Sequence, residues 1–277
     1  PDKNAYVLTE VAWTVFSSTD MILLSVMFST ALSSVYSVYN MIYSNISVLM
    51  SAIYTSLLYL LGQAYSENIK KYETVHDEFE LLFMTAVAVL MSCCSLLAIP
   101  FVQLYTKGVT DVNYIYIFLP TMFGLIQILS WDRYVTGNLS GIAGHAKMVS
   151  KISVIETASN IVLSVLLAPR MGLYGITLAT VISLVFKLAY LTYLGNVVIL
   201  KRGIWSSLSK ILCYLGTYLV ISFIGIIKPL KISSFARFIL YGFITLTLVM
   251  VVFIILAYII DRKTFKILAK RIGGKMH

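Results

Sequence analysis

Asp20, Glu156 and Lys187 are ionisable side chains placed inside long apolar runs. A charge at membrane depth is costly unless it faces a partner or a hydrated cavity, so each marks a candidate site. Asp20 falls near the middle of the first run and is too short to reach the headgroups. Lys187 lies about halfway along the sixth run, and Glu156 in the outer third of the fifth. Asp132 and Arg133 fall near the end of the fourth, where Arg133 is long enough to snorkel. Asp20 and Lys187 form a conceivable ion pair.

Two helical stripes add polar groups without charge. Tyr36, Asn40, Tyr43, Ser47, Ser51 and Tyr54 recur at steps of three and four, within an arc of about 80° at 100° per residue. Ser153, Glu156, Asn160 and Ser164 repeat the pattern in the fifth run. Two such helices suggest a central hydrated cavity, with polar glue between packed helices as the alternative. Aromatic rings and hydroxyls suit a large polar ligand such as a sugar. Lys187 and Arg133 would offset a phosphate charge.

Other chemistry is missing from the sequence. It contains no GxxxxGK[ST] loop, HExxH, CxxC or DxD, so neither P-loop hydrolysis nor a familiar zinc motif is expected. His76, His145 and His277 are far apart in polar segments and read as solvated. Cys93, Cys94 and Cys213 lie in apolar runs and read as small buried hydrophobes. The expectation is a protein that is not an enzyme, has no cofactor or metal, and binds no nucleic acid.

The elements that position these residues are membrane spans. Of 277 residues, 59% are hydrophobic and 12% charged, half the charge of an ordinary soluble domain. Apolar runs at about 11–31, 35–61, 79–102, 113–135, 152–168, 173–199, 208–227 and 235–260 predict an all-α membrane protein of about eight spans. The polar stretches 66–78 and 136–151 read as connections, and Pro100 and Pro120 as possible kinks. With eight spans both chain ends share a side. Fourteen of the 21 Lys and Arg then lie on that side and five on the other, which makes it cytoplasmic. In the basic tail 261–277, Phe265, Leu268 and Ile272 alternate with cations, as in an interfacial helix or a solvated tail.

Three segments resemble the polysaccharide-transporter branch of the multidrug and lipid-linked oligosaccharide exporter superfamily. They are SSTDMILLSVM with SSVYSVYNMI, the stretch 132–183 with Gly137, Lys147 and Gly172-x-x-Gly175, and the basic end. The resemblance implies a six-helix C-terminal lobe at 1–200, an additional helix pair at 201–260 and a cytoplasmic tail at 261–277. It implies a missing first lobe and residence in a bacterial cytoplasmic membrane. The implied activity is flipping of an undecaprenyl-pyrophosphate-linked oligosaccharide for surface polysaccharide. Implied partners are that substrate, membrane lipids, and a glycan polymerase or glycosyltransferases. Asp20, Tyr36, Asn40, Tyr43, Arg133, Glu156, Asn160 and Lys187 would line the path. A cation-coupled drug exporter of the same superfamily is the nearest alternative. It would have an acidic, aromatic cavity and bind small cations. An integral membrane enzyme of polysaccharide assembly is the alternative of another class.

Overall fold

The structure is a computed structural model that describes residues 3–272. It is all-helical among these: α1 (Lys3–Met27), α2 (Thr30–Glu67), α3 (Ile69–Tyr105), α4 (Leu119–Ile142), α5 (Ala146–Met171), α6 (Leu173–Tyr193), α7 (Trp205–Ile227), α8 (Phe235–Ile260) and α9 (Arg262–Ile272), with a π-helical turn at Leu194–Ile199 after α6. Among the described residues seven helices are long and apolar enough to cross a membrane; α4 is not among them. Its Asp132, Arg133 and Ser130 are buried in the bundle, so α4 does not need a lipid-compatible surface. Residues 273–277 of the basic tail, His277 among them, lie outside the described residues.

The helices outrun their apolar runs. A helix of 38 residues such as α2 is about 57 Å long, nearly twice a hydrocarbon core of about 30 Å. The stretch 66–78 is therefore not a loop: one residue, Asn68, separates α2 from α3. Its side chain caps α3 by accepting from the Lys70 and Lys71 amides, satisfying two otherwise orphaned donors. The segment 136–151 is likewise helical apart from the turn at 143–145. The fourth helix starts later than its apolar run, because Pro120 occupies its first turn, where a missing N–H costs nothing. Pro120 thus begins a helix, while Pro100 lies inside α3.

Aromatic side chains from five helices build the core. Tyr39 and Tyr43 of α2 stack on Phe123 of α4, and their hydroxyls donate to the Tyr114 and Pro120 carbonyls at 2.9 and 2.8 Å. Tyr214 and Tyr218 of α7 and Phe253 of α8 join the same cluster around α3. Cys93 and Cys94 are buried as expected, whereas Cys213 is exposed on α7.

Close packing of α5 on α6 depends on Gly175. A Cβ there would meet the Leu167 carbonyl oxygen at 2.5 Å and its carbon at 2.6 Å. Backbone cannot swing aside as a side chain can, so Gly175→Ala is expected to cost about 1–3 kcal/mol through overpacking. Mixed-micelle unfolding of the purified variant checks this.

The junctions sort into two ends. At one, Arg202 beyond α6 meets Asp77, Lys210 of α7 meets Glu80, and Arg271 of α9 meets Glu78. At the other, Tyr114 before α4 meets Ser34 of α2, and Tyr116 packs on Tyr174 of α6.

Candidate functional site

A cavity of about 590 Å³ opens between α1, α2 and α4, with Thr180 of α6 at its base. The predicted α2 stripe forms much of one wall: Tyr36, Asn40, Ser47, Ser51 and Tyr54 all face it. Trp13 and Phe16 of α1 and Trp131 and Tyr134 of α4 complete an aromatic lining. Asp20 is the charged residue on this wall. Its carboxylate accepts from the Tyr36 hydroxyl at 2.9 Å and from the Thr180 hydroxyl at 3.0 Å. Asn160 donates to that threonine oxygen at 3.0 Å. One hydrogen-bonded chain therefore ties α1, α2, α5 and α6 around a single carboxylate, offsetting the desolvation that a buried charge suffers.

The cations lie elsewhere. Glu156 of α5 accepts from Arg133 of α4 at 2.6 Å and from Lys187 of α6 at 2.7 Å, with all three side chains buried. The Arg133 guanidinium also lies 4.9 Å from the ring centroids of Trp13 and Tyr134. Arg133 therefore does not snorkel, and Lys187 pairs with Glu156 instead of Asp20. Both cations border a smaller cavity of about 290 Å³, whose wall also includes Glu10.

The second stripe has a different fate. Ser153, Glu156, Asn160 and Ser164 are buried on α5. Asn160 and Glu156 bond to α6 across the contact, so this stripe is interhelical glue. Tyr43, also predicted to line the path, is fully buried against Phe123.

A further cluster escaped the sequence reading. His76, Asp77 and Glu80 place one ligand atom each within 4.8 Å of one another. His76 and Glu80 are one helical turn apart on α3 and both buried. The His76 Nδ1 and Glu80 Oε1 atoms have no hydrogen-bond partner among the described residues. One imidazole nitrogen and two carboxylates are a donor set of the kind a divalent cation such as zinc takes. Lys210 stands beside them, 2.9 Å from Glu80 and 3.4 Å from Asp261. Asp77 lies ahead of the apolar part of α3. Burial pushes its carboxyl up, but the His76 ring 3.7 Å away and the charges of Lys210 and Arg202 outweigh this and hold it down at about 2.

This cluster corrects three expectations. His76 is not a solvated histidine. A buried set of metal-capable ligands is at odds with the strict expectation of a non-enzyme with no catalytic or metal centre. The reading as a passive flippase of lipid-linked oligosaccharide, with its transport-only description, fails with it. The signal was available: His76 and Glu80 are spaced i,i+4, but that spacing places them on one face only if 66–78 is helical. No family model, no curated protein and no solved structure matches the chain.

Proposed function

We propose that the chain is a cation-coupled exporter of small lipophilic cations. The observation that carries this reading is the wall of the large cavity, where the carboxylate of Asp20 is set among Trp13, Tyr36, Tyr54, Trp131 and Tyr134. Aromatic faces and one carboxylate attract an organic cation, while Arg133 and Lys187 share Glu156, which cancels one of their two charges, and neither cation lines this cavity. His76, Asp77 and Glu80 give the driving cation a site on α3. Tyr54 of the cavity wall packs on Phe79 and Phe83 of that helix.

The resemblance to the exporter superfamily supports an architecture in which α4 is an eighth crossing, shielded from lipid by its neighbours. On that architecture α1–α6 form one lobe and α7–α8 an added pair. The excess of Lys and Arg at the charged end supports a cytoplasmic location for it.

In membrane vesicles carrying the protein, ethidium movement down an imposed cation gradient is expected to require Asp20. The Asp20→Asn variant should bind ethidium about tenfold more weakly or worse, the worth of a hydrogen bond or contact to a charged group. Equal movement and equal binding in the variant would defeat the proposal.

One observation favours a second reading, an integral membrane enzyme of polysaccharide assembly: the unpaired His76 Nδ1 and Glu80 Oε1 atoms. That reading expects metal-dependent turnover of a lipid-linked sugar, lost in His76→Ala, with no effect of Asp20→Asn on ethidium.

A further inference from the structure

The last helix and its neighbours form a second kind of binding site. Phe265, Leu268 and Ala269 of α9 close an apolar cavity of about 390 Å³ against Leu81 and Leu82 of α3 and Ile254 of α8. Phe265 is held in place by an edge-on contact with Tyr258, at 5.6 Å between centroids. The cavity lies where the apolar stretch of α3 begins and where α8 ends, the level of headgroups for any bilayer these helices cross.

Charge is arranged along one edge of this cavity. Arg262, Lys266 and Lys270 recur every four residues on α9, so they form a row that flanks the face bearing Phe265 and Ala269. All three are exposed, and α9 contains no acidic residue. Arg271 lies on the opposite flank and pairs with Glu78 at 2.6 Å, so it anchors the helix instead of extending the row. An apolar slot beside a cationic row is complementary to one acyl chain joined to an anionic headgroup.

We infer that α9 and the slot beneath it hold an anionic phospholipid, with an acyl chain between α3, α8 and α9 and the headgroup phosphate on Arg262, Lys266 and Lys270. The ion pair of Arg271 with Glu78, and the contact of Asp261 with Lys210 at 3.4 Å, fix α9 at the charged end of the bundle. This site is independent of the exporter reading, since neither the large cavity nor Asp20 contributes to it.

Native mass spectrometry of the purified full chain, exchanged into detergent with equal phosphatidylglycerol and phosphatidylcholine, tests the inference. Wild type is expected to retain phosphatidylglycerol about tenfold over phosphatidylcholine. The exposed triple change Arg262→Gln, Lys266→Gln, Lys270→Gln should erase that preference. Ala269→Trp, which fills the slot, should reduce retention of both lipids. Equal retention of the two lipids by wild type would overturn the inference. So would an undiminished preference in the triple variant, whose exposed positions leave the fold intact, or full retention in a folded Ala269→Trp variant.

Discussion

Glu156→Gln is expected to lower the stability of the protein by about 3–5 kcal/mol, the cost of removing one partner from a buried ion pair. The figure falls in this upper range because Glu156 serves two cations, Arg133 at 2.6 Å and Lys187 at 2.7 Å. Glutamine keeps the shape and one acceptor but leaves two positive charges facing each other in the contact of α4, α5 and α6. Adding Lys187→Met should restore part of the loss, because the remaining Arg133 still has the Trp13 and Tyr134 faces. The double-mutant cycle, followed by unfolding in mixed micelles, isolates this coupling. A loss below about 1 kcal/mol for Glu156→Gln would mean that water screens the trio and that it does not hold the three helices.

Lys210→Met is expected to be comparably damaging in chelator-treated protein, and here the damage should be reversible. The lysine ammonium compensates Glu80 and contacts Asp77 and Asp261, at 2.9, 4.0 and 3.4 Å. Without it, Glu80 is buried with no cation at its Oε2 and with Oε1 already unpaired. A divalent ion held by His76, Asp77 and Glu80 replaces the missing charge. Added Mn²⁺ or Zn²⁺ should therefore recover about 2.7 kcal/mol at a hundredfold excess over its dissociation constant. Wild type should gain less, since the ion then competes with the lysine. Denaturation midpoints that ignore the metal in both proteins would contradict a cation site on α3.

The membrane character and most helices were legible because apolar runs of about 20 residues leave few alternatives. Asp20, Tyr36 and Asn40 were legible as a site for a related reason: polar groups in mid-span need a partner or a cavity. Their neighbours were not. Periodicity gives the polar face of a helix but not the helix it meets, so the α5 stripe is compatible with a cavity or with interhelical glue, and it turns to α6 as glue. The same gap left an Asp20–Lys187 pair conceivable, where the actual partners are Tyr36 and Thr180 for one and Glu156 for the other. His76 was lost for another reason. Hydropathy marks where a helix leaves the bilayer, not where it ends, and α3 begins ten residues before its apolar stretch at Phe79. The placement of α4 failed at Tyr114 and Tyr116, aromatic residues that belong to a connection and pack on Ser34 and Tyr174.

Asp20 is expected to make the aromatic cavity select positive charge. Tetraphenylphosphonium and tetraphenylborate have nearly the same shape and opposite charge, so their competition with bound ethidium separates charge from hydrophobicity. In the purified protein tetraphenylphosphonium should displace ethidium saturably and tetraphenylborate should not, and Asp20→Asn should abolish the difference. Displacement by both ions alike, or selectivity that survives in Asp20→Asn, would contradict the account.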